Sequence, residues 1–339
     1  MSAYRPPVAE RTRSAAGLAP GIPTTARLHV VTGKGGTGKT TVAAALAVAL
    51  AQTGRKVLLV EVEGRQAIAQ LFDTPPMTYG ERRLAGVENG GQLFGLAVDA
   101  EQAMIEYLDM FYGLRRSARG LRKIGAVDFV TTLAPGLRDV LLTGKVKEST
   151  VRTENGKHVY DAVVLDAPPT GRITRFLDAT REVAKLTKFG PINSQSEGVI
   201  KLLHGPQTAV HLVTLLEEMP VQETIDAAAG LAELGFRLGS VIVNRARPTL
   251  LDAGLVPDGV VDEQQLAAGL KLAGVGARNT SAIAAEMVDY AQRQRVQETN
   301  AARLDELALP RIVLPDLNPP VELGELKDLA RMFFTSEVA

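Results

Sequence analysis

Eight consecutive residues of this chain combine glycine, lysine and threonine at a spacing that suits the binding of phosphate groups. Residues 33 to 40 read Gly-Lys-Gly-Gly-Thr-Gly-Lys-Thr and fit the pattern G-x-x-x-x-G-K-[ST]. Glycines let successive backbone N–H groups point at phosphate oxygens, a lysine reaches the β- and γ-phosphates, and the last hydroxyl is a Mg²⁺ ligand. The predicted nucleotide-binding residues are Gly33, Gly35, Gly36, Thr37, Gly38, Lys39, Thr40 and Thr41. The pattern therefore predicts a protein that binds a nucleoside triphosphate.

The sequence around this loop supplies the elements that must position it. Residues 28–31 are a short apolar run typical of a buried strand, and residues 41–50 are an apolar run typical of a helix. A helix that begins at the loop adds the partial positive charge of its N-terminus. The alternative is a glycine-rich turn without a ligand, which the order strand, loop and helix disfavours.

A carboxylate stands where a second metal ligand is needed. Asp166 follows the apolar run 162–165, so it is predicted to end a buried strand. A strand-end aspartate beside the phosphates suits the holding of Mg²⁺. The alternative is an aspartate that only caps a turn.

Two motifs resemble a known family. The additional lysine, Lys34, makes the loop similar to the deviant Walker A motif of the ArsA/Get3 and MinD/ParA ATPases. Residues 167–177 read A-P-P-T-G-R-I-T-R-F-L and are similar to the ArsA/Get3 segment D-T-A-P-T-G-H-T-L-R-F-L. The chain thus resembles the ArsA/Get3-type ATPases, in particular their actinobacterial versions. Without the resemblance, Lys34 is equally well interpreted as a solvated surface lysine.

The resemblance implies ATP and Mg²⁺ as cofactors and a dimer as the catalytic unit. The partner would be a second copy or a paralogous chain, and Lys34 would cross the interface to the partner's nucleotide. Gly171 would sense the γ-phosphate, and Glu217 would lie near the nucleotide of the facing subunit. The resemblance implies adenine recognition by Asn244, Pro315 and Asp316.

One motif departs from the family. After the second strand the family carries Asp-Pro-Ala-His-Ser, whose aspartate positions the attacking water, whereas this chain has Glu63 and Gly64 at the first two positions. A carboxylate one methylene longer can still accept a hydrogen bond from water, but such a role depends on precise geometry. Glu63 is therefore a candidate catalytic residue in a site where hydrolysis could be slow. The alternative is an ordinary surface glutamate.

Composition excludes several classes of protein. The chain has 339 residues, and Lys plus Arg equal Asp plus Glu at 38 each, so no bulk attraction to nucleic acid is expected. Cysteine is absent, which excludes disulfides, thiolate zinc sites and metalloid binding through cysteine. Neither a bilayer-spanning run nor an apolar signal core is visible. We expect a soluble cytoplasmic protein, for which peripheral contact with the inner membrane stays open.

The alternation of short apolar runs with helical patterns predicts an α/β fold with a doubly wound, mainly parallel sheet of the P-loop NTPase class. We expect a flexible arm over residues 1–26 and an ATPase domain over residues 27–339, with a helical insertion at about residues 101–150. Residues 188–207 and 247–276 are rich in turn-forming residues and are predicted to be loops.

Three functions remain open at this stage. The first is an ATPase that acts on a protein client or a membrane partner through the helical insertion. The second is a positioning ATPase of the MinD/ParA type, for which no basic face is visible. The third is a nucleotide-binding scaffold with little turnover, suggested by Glu63 and Gly64.

Overall fold

A computed structural model describes residues 17–112, 136–186, 191–251, 259–317 and 321–335, together with Val256. Its central element is a single sheet of eight strands in the order β10-β9-β8-β1-β7-β2-β4-β3. These strands are β1 (Leu28–Gly33), β2 (Lys56–Glu61), β3 (Arg82–Gly86), β4 (Gln92–Ala97), β7 (Ala162–Asp166), β8 (Thr208–Thr214), β9 (Leu238–Ala246) and β10 (Arg311–Pro315). The pairings are parallel except that of β3 with β4. A separate hairpin joins β5 (Thr153–Glu154) to β6 (Lys157–His158).

Helices cover both faces of the sheet. They are α1 (Lys39–Gln52), α2 (Ala67–Leu71), α3 (Ala100–Tyr112), α4 (Leu137–Val151), α5 (Thr170–Leu186), α6 (Pro191–Leu203), α7 (Glu218–Glu233), α8 (Glu263–Leu272), α9 (Thr280–Asp305) and α10 (Leu323–Arg331). One apolar core packs α1 and α10 against one face of the sheet. A second core packs α4, α5, α6 and α7 against the opposite face. Side chains alternate along a strand, so Val30 and Val31 enter different cores. The predicted α/β fold with a doubly wound, mainly parallel sheet is confirmed.

Both ends of the described chain meet. The predicted flexible arm, residues 1–26, requires correction over its last ten residues, whereas residues 1–16 lie outside the described chain. Ile22 is buried in the core, Leu18 pairs with Phe334, and the N–H of Ala19 donates to Phe333 at 2.7 Å. The prolines and small residues of this segment predict flexibility, but Leu18 and Ile22 pack in the apolar core that also contains side chains of α10.

Two predicted loops contain helices. Within residues 188–207, α6 forms because Val199, Leu202 and Leu203 are buried against the core, and this burial overrides the low helix propensity of the neighbouring glycine and serine residues. Within residues 247–276, α8 begins at Asp262, whose carboxylate accepts hydrogen bonds from the N–H groups of Gln264 and Gln265. None of the residues of α8 is buried, so the sequence has no periodic apolar face from which this helix could be predicted.

The predicted helical insertion is described only at its two ends. There, α3 and α4 are helical, and residues 113–135 lie outside the described chain. Lys145 of α4 is 9% exposed, and its ammonium donates to Glu106 of α3 at 2.8 Å. The ammonium also lies 5.2 Å from the ring centroid of Tyr79. Across the described ranges, no helix has the length and apolar character needed to cross a bilayer.

Two histidines form a buried pair inside the sheet. A ring nitrogen of His29 in β1 lies 3.1 Å from one of His211 in β8, and both rings are fully buried. The N–H of Ser240 donates to the other nitrogen of His211 at 3.2 Å. Burial lowers the pKa of His29 to about 4 and that of His211 well below its usual value. Both side chains are therefore neutral in the folded protein at neutral pH.

This pair predicts a loss of stability in mild acid. In the unfolded chain each histidine binds a proton near pH 6.5, but in the folded chain it does so only at lower pH. The stabilisation is thus complete above pH 6.5 and falls towards pH 4, by up to about 1.4 kcal/mol per pH unit for each histidine. Urea unfolding between pH 7 and pH 5 should show a shallower pH dependence for His29→Gln than for wild type. The exposed His158, changed to Gln, is the control. Equal slopes for wild type and His29→Gln would contradict the assignment.

Candidate functional site

The glycine loop between β1 and α1 is shaped by close approaches of the backbone. Gly36 and Gly38 have φ angles of 88° and 83°, a region that side chains disfavour. A Cβ at Gly38 would lie 2.3 Å from Nδ2 of Asn244, and one at Gly33 would lie 2.2 Å from the carbonyl oxygen of Val213. Glycine is therefore required at these positions by the fold itself.

The middle of the loop is open. A Cβ built at Gly35 or Gly36 would have no heavy atom of the described chain within 4 Å. The loop backbone is nevertheless fixed, because the side chains of Thr37 and Asn244 donate hydrogen bonds to two of its carbonyl groups. Oγ1 of Thr37 donates to the carbonyl of Lys34 at 2.8 Å, and Nδ2 of Asn244 donates to the carbonyl of Thr37 at 2.8 Å. The exposed upper side of the loop can thus receive an anion without rearrangement.

Thr40 and Asp166, the two predicted Mg²⁺ ligands, meet beside this loop. Oγ1 of Thr40 donates to Oδ2 of Asp166 at 2.6 Å. Oδ1 of Asp166 is buried and has no hydrogen-bond partner among the described residues. Burial, the largest effect, raises the pKa of Asp166 to about 6. A hydroxyl and a carboxylate with a free buried oxygen fit a hard cation such as Mg²⁺.

Lys39 and Glu63 complete the charged part of the site. Lys39 is buried, which lowers its pKa, and the negative charges of Asp166 and Glu63 act in the opposite direction. The carboxylate of Glu63 lies 3.3 Å from Arg65 and 3.7 Å from Arg172. Glu63 is therefore partly buried between two arginines, and its catalytic role stays a prediction.

Lys34 is paired within its own chain. Its ammonium donates to Oε1 of Glu223 in α7 at 2.5 Å, and this hydrogen bond lowers the pKa of Glu223. Oε2 of the same carboxylate accepts a hydrogen bond from Thr170 at 3.1 Å. Thr170 is the first residue of α5, so Glu223 connects the glycine loop to the segment that follows Asp166.

That segment is also attached directly to β1. Oγ1 of Thr32 donates to the carbonyl of Pro168 at 2.7 Å, and the N–H of Ala167 donates to Val31 at 2.9 Å. Gly171 lies in the first turn of α5, where it is exposed and would tolerate a Cβ. The predicted sensing loop is thus the N-terminal turn of a helix, whose partial positive charge suits an anion.

A cleft of about 610 Å³ lies at the end of β9. Asp316 lines it and pairs with Arg245 at 3.1 Å and with Arg247 at 3.9 Å, and Glu217 lines the same cleft. Pro315, which ends β10, directly precedes Asp316. Asn244 is near, but its amide nitrogen is engaged by the glycine loop, so its base-recognition role stays a prediction, as do those of Pro315 and Asp316.

Several residues of the site escaped sequence reasoning. Glu223 bonds residues that are distant in the chain, Glu61 lies beside Asp166 only through the pairing of β2 with β7, and no local pattern marks either carboxylate. Arg172 lies inside the recognised segment, but its pairing with Glu63 depends on how α5 is placed. Arg245 adopts a φ of 53°, which is unusual for a non-glycine residue and invisible in sequence.

The fold and this site define an α/β nucleotide-binding protein with a phosphate loop. The model of the family described as anion-transporting ATPase matches residues 26–206, more than half of the chain. The chain therefore belongs to this family, and it is an ATPase.

Curated relatives agree with this assignment. The ATPase BagA of Mycobacterium tuberculosis is 56% identical over 310 residues, which cover 90% of this chain and 91% of the relative. The ATPase GET3 of Kluyveromyces lactis is 30% identical over 205 residues, 58% of this chain and 57% of that protein. An ATPase ASNA1 homolog of Entamoeba dispar is 26% identical over 261 residues, covering 64% and 76%.

The loop geometry predicts unequal losses of stability for two similar substitutions. Gly38→Ala should lower the free energy of unfolding by about 1–3 kcal/mol, because the added Cβ meets Asn244 and the φ angle is unfavourable. Gly35→Ala should change it by no more than about 0.5 kcal/mol, since the space is open. Urea unfolding of both variants without nucleotide measures the difference. Equal destabilisation would contradict this description of the loop.

Proposed function

We propose that this chain is a Mg²⁺-dependent ATPase that hydrolyses ATP to ADP and phosphate within a dimer. The cycle drives a conformational switch that acts on a protein client or a membrane partner. The observation that carries the proposal is the hydrogen bond of 2.6 Å between Thr40 and Asp166 at the edge of an open glycine loop. A hydroxyl and a buried carboxylate that lie together beside this loop support the binding of a nucleotide-bound cation there.

Each residue of the site has a role in this proposal. The N–H groups of residues 33–41 and the ammonium of Lys39 bind the β- and γ-phosphates. Thr40 and Asp166 hold Mg²⁺, which when bound offsets the negative charge of the phosphates. Glu63 accepts a hydrogen bond from the attacking water, and its contacts with Arg65 and Arg172 fix the direction of its carboxylate.

The dimer is proposed from the position of Lys34. Its ammonium is bound to Glu223 in α7, so it is engaged outside the phosphate-binding loop of its own chain. In a dimer with a second copy or a paralogous chain, Lys34 leaves Glu223 and reaches the nucleotide of the facing subunit. Breaking a half-exposed ion pair of this kind costs little, which makes the exchange feasible.

The switch is proposed from the second oxygen of Glu223. Because Glu223 also binds Thr170, departure of Lys34 leaves this carboxylate bound to the N-terminal turn of α5 alone, and that turn, where Gly171 senses the γ-phosphate, is no longer connected to the glycine loop through Glu223. From α5 the change reaches α4, against which it packs through the hydrogen bond between Thr143 and Thr180 at 3.0 Å. Residues 101–150 are the proposed surface for the client, whose chemical identity the site does not define.

The two lysines are expected to differ. Lys39→Ala should abolish the binding of ATP, because the phosphates lose their buried cation. Lys34→Ala should leave ATP affinity within about threefold of wild type and lower turnover by roughly tenfold or more, as expected of a group that acts only in the transition state. Titration with a fluorescent ATP analogue and a phosphate-release assay measure both quantities.

Lys157→Ala, in the exposed β5–β6 hairpin, is the matched control. Wild-type turnover per molecule should rise with protein concentration, whereas that of Lys34→Ala should stay low at every concentration. Equal loss of ATP affinity in both site variants would exclude a role of Lys34 in the partner's site. An absence of ATP binding in wild type would overturn the proposed function.

Glu63 is expected to affect the chemical step alone. Glu63→Gln keeps the length of the side chain and removes the charge that orients the water, so turnover should fall by about a hundredfold. ATP affinity should stay close to that of wild type. Single-turnover kinetics checks this, with the exposed Glu233→Gln as the control. Turnover equal to that of wild type would assign the positioning of water to another residue.

A further inference from the structure

Glu61, the last residue of β2, is a buried carboxylate with one unused oxygen. The side chain is 1% exposed, and Oε1 accepts the N–H of Gln66 at 2.6 Å. Oε2 is also inaccessible, and it has no hydrogen-bond partner within the described ranges. Capping the turn before α2 explains one oxygen only. Burial of a carboxylate oxygen without a partner costs folding free energy. Such an oxygen therefore indicates a partner from outside the polypeptide, such as a bound cation.

The register of the sheet places Glu61 beside Asp166. The pairing of β2 with β7 puts the two residues directly opposite each other. Registered residues of neighbouring parallel strands point to the same face, and residues two positions earlier share it. Those earlier residues, Leu59 and Val164, pack in the core that contains α1. Both carboxylates therefore lie on the face of the sheet where Thr40 and α1 begin.

The charges around this pair do not balance it fully. Oδ1 of Asp166 is likewise buried and has no hydrogen-bond partner in the part of the chain that the structure describes, and the charge of Glu61 contributes to the raised pKa of Asp166. Glu63 adds a third negative charge to the same region. Lys39 is the cation that acts on Asp166, and Arg65 is directed to Glu63. Two unused carboxylate oxygens beside a threonine hydroxyl form the all-oxygen environment that a divalent cation prefers.

We propose that Glu61 is a second acidic group of the magnesium site, beside Thr40 and Asp166. The inference rests on the proposed function and adds a residue that the sequence motifs did not indicate. Its carboxylate strengthens the hold on the cation, while its bond to Gln66 fixes the start of the turn that carries Glu63. Glu61 thereby links metal binding to the position of the predicted catalytic carboxylate.

Binding of Mn²⁺ in place of Mg²⁺ tests this without relying on activity. The full-length protein is saturated with ADP, and free Mn²⁺ is measured by electron paramagnetic resonance. Glu61→Gln keeps an acceptor for the N–H of Gln66 but removes the charge, and it should weaken Mn²⁺ binding by about tenfold or more. Asp166→Asn should weaken it at least as much. Glu233→Gln should bind Mn²⁺ as wild type does, and ADP affinity in EDTA should be the same in wild type and Glu61→Gln.

The outcomes separate the inference from the proposed function. If Glu61→Gln binds Mn²⁺ like wild type while Asp166→Asn does not, Glu61 is outside the metal site and the inference is wrong. If wild type with ADP binds no Mn²⁺, both the inference and the proposed function fail.

Thermal unfolding provides a second measurement. In EDTA, Glu61→Gln should not be less stable than wild type, because the repulsion with Asp166 is relieved. The rise in melting temperature on adding Mn²⁺ and ADP should be smaller in this variant, and an equal rise would overturn the inference.

Should Glu61→Gln fail to fold, Glu61→Asp replaces it. This variant keeps the charge and shortens the side chain, so it should also bind Mn²⁺ more weakly, and unchanged binding would count against the inference.

Discussion

The parallel pairing of β1, β7 and β2 brings the residues of the site together. Three neighbouring parallel strands end at one edge of the sheet, so the residues that follow them must meet there. The glycine loop follows β1, Asp166 ends β7, and Glu61 ends β2. Sequence separations of more than a hundred residues are thereby reduced to hydrogen-bond distance, as the bond between Thr40 and Asp166 shows.

A second layer of organisation connects this edge to the helices. Glu223 receives hydrogen bonds from both Lys34 and Thr170, so one carboxylate joins the glycine loop, α5 and α7. Asn244 supports the loop from the opposite side, at the end of β9. The loop is thus held by side chains from two other strand ends and one helix, and a change at the phosphates has direct neighbours through which it can spread.

Much of this could be predicted from the sequence, and the reasons for the remainder are physical. Short apolar runs located the strands, and the glycine loop marked its own place because its pattern is local. The helix α6 was missed because burial of Val199 and Leu203 outweighs a composition that favours loops. Glu61 and Glu223 were missed because their importance lies in contacts between distant segments. The predicted end of the flexible arm at residue 26 was wrong because Leu18 and Ile22 pack in a core with Phe333 and Phe334, which follow α10 near the other end of the described chain.

The covering of α1 by α10 has a consequence for the order of folding. Helix α1 is buried along almost its whole length, and Leu326, Leu329 and Phe333 from the far end of the described chain complete its core. During synthesis, α1 leaves the ribosome long before these residues do. The part of its apolar surface that α10 covers therefore has no cover until α10 has been made, and exposed apolar surface of this kind favours aggregation of a nascent chain.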